Sequence, residues 1–182
     1  MSIERAKPMS DFGFRAMSFF LALRSRFLDF RKPLRQAGIR EGQTVLDFGC
    51  GPGYYTIPAA KMVGDKGRVY ALDVHHLALR SVEARALKEG LTNITTILAG
   101  RDAALPDRSV DVVLAYDMIH MVKDKRALAK ELHRVLKPDG LLSVIVEHVK
   151  VDDVLGVLEE GGLFLLRDRQ GNLINLTGGV AR

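Results

Sequence analysis

The sequence predicts a doubly wound α/β fold with a mostly parallel sheet. Three observations predict it. Short apolar runs alternate with helix-period segments from about residue 40 onward. The first run, Val45-Leu46-Asp47-Phe48, passes directly into Gly49-Cys50-Gly51-Pro52-Gly53, a strand feeding a tight turn that is nearly free of side chains. Two later runs, Val110–Tyr116 and Leu141–Val146, read as strands buried on both faces.

The elements follow in order. Phe12, Ala16, Phe19, Leu23, Phe27, Phe30 and Leu34 recur at steps of three and four, one face of a helix. Pro33 either starts a second short helix or kinks the first, and Gly38 ends the segment. Residues 1–40 thus form an N-terminal helical extension, and residues 41–182 the main domain. Thr44–Phe48 is a strand, 54–63 a helix stopped by Gly64, and Gly67–Leu72 a strand. A helix over 75–89 carries Leu77, Leu79, Val82, Ala86 and Leu87 and stops at Gly90. Residues 94–99 form a strand, 100–109 a loop, and Val110–Tyr116 a strand. Asp124–Leu136 is a helix, Pro138-Asp139-Gly140 a turn, and 141–146 a strand. A helix over 151–160 breaks at Gly161-Gly162, and the chain closes with a β-hairpin of Leu163–Leu166 and Asn172–Leu176.

Composition narrows the class. The 182 residues are 47% hydrophobic and 27% charged, values of an ordinary globular domain. No apolar stretch approaches the roughly 20 residues of a membrane span. Arg15, Arg24 and Arg26 interrupt the apolar residues near the start, unlike a secretory leader, so a cytoplasmic protein is expected. The single cysteine, Cys50, excludes an internal disulfide and a cysteine-based zinc site. Net charge is +5, but nine of the 27 Lys/Arg and only three of the 22 Asp/Glu lie in residues 1–40. The main domain is therefore not basic, and a nucleic-acid partner is not expected.

In a parallel sheet the loops after the strands gather at one edge, where ligands bind. That edge collects the glycine turn, Asp73, Asp102, Asp117 and Glu147. Asp73 ends a strand twenty residues past Gly53, where an acid can accept hydrogen bonds from the two hydroxyls of a ribose. The turn reads Asp47-x-Gly49-x-Gly51-x-Gly53, which is not the G-x-G-x-x-G spacing of a nicotinamide site. A carboxylate two residues before the first glycine would repel a diphosphate and suits an ammonium or sulfonium ligand. A phosphate-binding G-x-x-x-x-G-K-[ST] loop is absent.

These motifs resemble those of the class I S-adenosylmethionine-dependent methyltransferases, in particular the small-molecule, ubiquinone/menaquinone-biosynthesis-like group. Val45–Thr56 is similar to the family's first motif, and Leu72-Asp73-Val74 to its second. Residues 100–106 (GRDAALP) resemble its "GDA…LP" segment with Arg101 inserted. Ser109–Val113 resembles "FDVV" with Val110 replacing the aromatic, and LHRVLKPDG at 132–140 resembles "RVLKPGG". The resemblance spans about residues 40–148 and implies a Rossmann-like fold and S-adenosylmethionine as cofactor. By resemblance, Gly49, Gly51 and Gly53 flank the methionine part and Asp47 helps position it. Asp73 holds the ribose hydroxyls, Val74 packs on adenine, Asp102 hydrogen-bonds the adenine amino group and Ala103 lines that pocket. Asp117 sits beside the reacting centre.

Methyl transfer from a sulfonium needs an in-line nucleophile at about 3–3.5 Å, exclusion of water and, for carbon or oxygen acceptors, a proton acceptor. His120 and His148 follow the fourth and fifth strands, and with Asp117 they are the candidate catalytic residues. The plainer alternative is that His120 packs at a helix start and His148 lies on a surface loop. His75, His76 and His133 read as structural. Tyr54 is a candidate to close over the cofactor, as is Tyr55, against the alternative of packing on the N-terminal segment. Cys50 lies inside the turn and is small and apolar enough to pack there, so it is not read as a nucleophile. No metal-ligand spacing is evident, so no metal is expected. An Asn/Asp-Pro-Pro-Tyr/Phe segment is also missing, against methylation of exocyclic base amines or of glutamine.

The expectation is methyl transfer to a small, lipophilic organic acceptor. Methylation of a protein or RNA side group, or a non-catalytic cofactor-binding subunit, are the alternatives. The aromatic N-terminal helix fits packing, a lid, or peripheral membrane contact. A homo-oligomer is compatible with the sequence.

Overall fold

The computed structural model describes residues 9–24, 28–99 and 105–179. Two helices, α1 (Asp11–Arg24) and α2 (Arg31–Gln36), precede the sheet. The order is then β1 (Thr44–Phe48), α3 (Thr56–Val63), β2 (Arg68–Asp73), α4 (His76–Lys88), β3 (Ile94–Leu98) and β4 (Val110–Tyr116). After these come α5 (Lys125–Val135), β5 (Leu136–Ile145), α6 (Val151–Leu158), β6 (Phe164–Gln170) and β7 (Leu173–Gly178). The seven strands lie in the order β3-β2-β1-β4-β5-β7-β6. The first five run parallel, and β7 pairs antiparallel with both β5 and β6. The winding direction reverses between β1 and β4, and that crevice is where the site must form.

Strand residues alternate between two cores, as a pleated sheet with both faces covered requires. Val45, Val69, Val112 and Leu114 face Leu34 of α2 and Ala59, Ala60 and Val63 of α3. Leu46, Phe48, Leu72, Val113 and Leu142 face Leu128, Leu132 and Val135 of α5 and Leu158 of α6. α4 packs Leu79 and Val82 against Ala71 and Cys50.

Polar side chains fix the strand ends. Asp111 accepts the Thr44 N–H at 2.8 Å through one oxygen and pairs with Lys137 at 2.7 Å through the other, linking the starts of β1, β4 and β5. Arg134 donates to the Leu105 carbonyl at 2.9 Å and pairs with Glu131 at 2.7 Å, which anchors the loop before β4. The LHRVLKPDG segment is thus a structural clasp.

Two expectations are corrected. The helix expected to end at Leu136 with a turn at 138–140 instead ends at Val135, and β5 starts at once. Leu136 pairs with Val110, and the register then shifts so that Val112 pairs with Leu141. A bulge absorbs Pro138 and Gly140, as strand prolines require. A Cβ on Gly140 would lie 2.7 Å from Leu136 and 3.0 Å from the Asp111 carbonyl. The second correction concerns α1. Its expected apolar face is open: Phe12 is 82%, Phe19 67% and Leu23 57% exposed, whereas Phe14 is 5% exposed. α1 meets the body through Phe14, whose ring stacks on His75 at 4.5 Å, a contact that periodicity cannot register. Phe27 lies outside the described residues.

Asn93 is buried and donates to the carbonyls of Ala60 (2.8 Å) and Gly64 (2.9 Å), closing the carboxyl end of α3. Asn93→Ala should lower unfolding free energy by about 1–3 kcal/mol, the cost of stranding buried carbonyls, as read by urea denaturation.

Candidate functional site

The carboxyl ends of β1, β2, β4 and β5 meet in the crevice. The turn after β1 hangs on the Leu72 carbonyl, which accepts the N–H groups of Gly49 (2.7 Å) and Cys50 (3.0 Å). All three of its glycines have positive φ, but their surroundings differ. A Cβ on Gly49 would lie 3.0 Å from Met118, and one on Gly53 would lie 2.9 Å from Val82, so those two permit close packing. Gly51 has φ +50°, and a Cβ there would meet no atom within 4 Å. Gly51 alone faces open space, so the turn offers bare backbone to a ligand at that residue.

Two carboxylates flank the turn. Asp73 accepts the Gly51 N–H at 2.9 Å and the His75 N–H at 2.8 Å, one through each oxygen. Each oxygen keeps a second lone pair for further donors. Asp47 is buried and accepts the Thr56 hydroxyl at 2.6 Å. Burial, aided by the nearby Asp73 charge and opposed by the Thr56 hydrogen bond, pushes its carboxyl up to about 7. The Cys50 thiol is pushed well up by burial and by the same two carboxylates, so no thiolate forms there.

The other residues fall around this turn. Val74 is half-buried beside Asp73. Asp102 and Ala103 lie outside the described residues. Tyr54 is sandwiched between the Phe30 ring, stacked at 5.1 Å, and the Arg85 guanidinium, 4.1 Å from its centroid. It borders a cavity of about 350 Å³ with Asp29, Phe30, Arg31, Gly53 and Arg85, which none of Asp47, Gly51 and Asp73 lines. Tyr55 packs edge-on against Tyr116. His75 caps α4, its Nδ1 accepting the Leu77 N–H at 3.3 Å, and His133 lies against Phe164 with Nε2 3.1 Å from the Gly179 carbonyl.

Asp117, His120 and His148 come together at the ends of β4 and β5. His120 Nδ1 lies 3.5 Å from Asp117 Oδ1, and His148 Nε2 lies 3.4 Å from Asp117 Oδ2. The two rings meet at 4.8 Å between centroids and 66° between planes. Asp117 has φ +49°, unusual outside glycine, and its N–H donates to the Ile145 carbonyl at 2.9 Å. Burial and the Glu147 charge raise its carboxyl above the usual range, against the pull of both histidines. Met118, the next residue, abuts Gly49, so this group adjoins the glycine turn.

Sequence reasoning missed three features. Asp11 on α1 lies 3.7 Å from His75 and 3.8 Å from His76. Arg85 covers Tyr54 from a helix distant in sequence. No metal-ligand spacing is legible along the chain, yet among the described residues two groups, Asp11/His75/His76 and Asp117/His120/His148, bring donor atoms within 4.8 Å of one another. Partners drawn from separate strands and helices leave no local signal.

Comparison with known proteins identifies relatives over most of this region. The chain is 35% identical over 129 residues to nocamycin O-methyltransferase of Saccharothrix syringae, covering 70% of this chain and 44% of that protein. It is 35% identical over 118 residues to demethylmenaquinone methyltransferase of Geobacillus stearothermophilus, covering 64% of this chain and 50% of that protein. The chain thus spans about half the length of these curated relatives. The crystal structure of a SAM-dependent methyltransferase from Aquifex aeolicus matches with a TM-score of 0.74 and 28% identity, over 85% of this chain and 91% of that one. The family model described as a methyltransferase domain matches residues 45–140, from the start of the glycine-turn strand to the β5 bulge. That match takes in more than half of the chain, which therefore belongs to the methyltransferase-domain family.

Proposed function

We propose that the chain binds S-adenosylmethionine at the glycine turn and transfers its methyl group to a small, lipophilic organic acceptor in the cytoplasm. The observation that carries this reading is the open backbone at Gly51, set between the carboxylates of Asp47 and Asp73. These residues fit the cofactor: the open cradle admits a ligand against the backbone, the free lone pairs of Asp73 suit a diol, and a near-neutral buried acid suits a neighbouring cation. When bound, the cofactor supplies an electrophilic methyl group on a sulfonium centre.

The chain's own residues divide the remaining tasks. Gly49 and Gly53 hold the turn close to Met118 and Val82, which positions Gly51. Val74, Asp102 and Ala103 are assigned to the adenine, and Tyr54 to the wall beside Gly53. Asp117 orients His120 and His148, and an imidazole of that pair takes the proton of an oxygen or carbon acceptor. Residues 41–182 form the cofactor domain. Of the N-terminal extension, residues 1–40, helix α1 lies against the turn after β2 through Phe14 and His75, and this contact supports a role as a lid beside the crevice. The exposed phenylalanines of α1 support a lipophilic acceptor, taken from a membrane surface or enclosed between copies of the chain. The relative named for demethylmenaquinone supports the same acceptor class.

Side-by-side calorimetric titrations with S-adenosylmethionine, S-adenosylhomocysteine and NAD test the cofactor reading, with binding expected for the first two alone. Release of S-adenosylhomocysteine in the presence of quinol or phenol acceptors separates an enzyme from a binding subunit. Gly51→Val should abolish S-adenosylhomocysteine binding while the chain still folds, since the added side chain enters the open crevice; unchanged affinity would refute the site. Asp73→Asn should weaken binding by about 1–3 kcal/mol in the same titration.

Asp47 predicts a pH dependence. Its carboxyl is pushed up to about 7 in the folded protein and returns to about 3.9 on unfolding. Between those values the folded protein holds a proton that the unfolded chain lacks. This group's contribution to stability is therefore full below about pH 4 and is lost as the pH rises through about 7. Urea midpoints of the ligand-free protein at about pH 5 and about pH 8 should differ less in Asp47→Asn than in the native sequence.

A further inference from the structure

We propose that Asp117, His120 and His148 form a binding site for a first-row divalent cation of the zinc, cobalt or nickel kind. The spacing points to this. His120 Nδ1 approaches Asp117 Oδ1 at 3.5 Å and His148 Nε2 approaches Asp117 Oδ2 at 3.4 Å, each wider than the 2.7–3.2 Å of an N–H···O hydrogen bond, so the two imidazoles face the two oxygens of one carboxylate. Two donors each about 2.0–2.1 Å from a tetrahedral metal stand about 3.3–3.4 Å apart. All three donor atoms lie within 4.8 Å of one another.

A second, independent observation concerns Asp117 itself. Its Oδ1 is buried and accepts no hydrogen bond from any described residue. A buried carboxylate oxygen without a partner is costly, and a cation would satisfy it. The left-handed backbone at Asp117 directs this residue at the crevice edge at an energetic cost, as functional positions often do. Glu147 acts on Asp117 as a further negative charge, which also favours a cation.

The donor set selects the metal class. Two imidazole nitrogens and one carboxylate suit zinc, cobalt, nickel or ferrous iron, whereas magnesium and calcium prefer oxygen ligands. Three protein ligands leave coordination positions open, the arrangement of catalytic rather than structural sites. His148 is exposed, so the open side is reachable from solvent. Because Met118 touches Gly49, an oxygen of an acceptor seated at the glycine turn could complete the coordination sphere. The Asp11/His75/His76 group is the poorer candidate: its approaches are 3.7 and 3.8 Å, Asp11 is exposed, and because His75 Nδ1 accepts the Leu77 N–H, the neutral ring carries its proton on Nε2, the nitrogen that faces Asp11. A nitrogen lone pair that holds a cation cannot take a proton, so cation binding and proton acceptance by these imidazoles are alternative states of one site.

The experiment is titration of the whole chain with cobalt(II), followed by its visible ligand-field bands, which report coordination directly. Bands saturating at one equivalent are expected. His120→Gln and His148→Gln should each weaken binding by about tenfold or more, while Asp11→Asn binds as the native chain does. His148 is on the surface, so its substitution leaves the core intact. Absence of saturable bands in the native chain, or bands undiminished in both histidine variants, would overturn the proposal. S-adenosylhomocysteine titration of the same proteins decides the cofactor reading separately, because neither histidine lies in the glycine turn.

Discussion

The site depends on one carboxylate. Asp73 accepts the N–H of Gly51 through one oxygen and the N–H of His75 through the other, and so fastens the turn after β1 to the turn after β2. Without that bridge the glycine-rich backbone would have little to hold it, because glycine loses more conformational freedom on ordering than any other residue. Hydrogen bonds to a charged acceptor are the strong kind, and here they fix the segment that must not carry side chains. The Leu72 carbonyl adds two more bonds from Gly49 and Cys50, so the end of β2 organises the whole turn.

The sheet order supplies the rest of the geometry. Reversal of winding between β1 and β4 opens the crevice, and the loops after β4 and β5 bring Asp117 and His148 to its other wall. Met118 fills the space against Gly49, and Val82 fills the space against Gly53. The two walls are therefore packed against the turn directly. Carboxyl groups are concentrated on both: Asp47 and Asp73 on one, Asp117 and Glu147 on the other. Burial raises the Asp47 and Asp117 carboxyls, which marks a region arranged to meet positive charge.

The apolar runs made β1 and β4 legible, because central strands covered on both faces leave a near-continuous hydrophobic signature. The glycine turn and Asp73 were legible for a related reason: glycine-rich backbone and an acid at the end of a strand are local in sequence. Two features were not. The Pro138-Asp139-Gly140 segment reads as a turn by local chemistry, but pairing of Leu136 with Val110 and of Leu141 with Val112 draws it into a bulged strand. The apolar period of α1 reads as a packing face, but Phe12, Phe19 and Leu23 are exposed and the buried aromatic is Phe14, stacked on His75.

The sequence by itself determined the fold class, the glycine-rich turn after the first strand and the polar residues that follow the strands. Periodicity, glycine spacing and strand-end acids are properties of neighbours along the chain, and neighbours need no tertiary contact to be recognised. Only the tertiary structure decided which glycine faces the crevice, that Tyr54 is held by Phe30 and Arg85, and that Asp117 stands between two histidines. Those outcomes depend on residues tens of positions apart, brought together by the packing of helices on the sheet and by the register of its strands.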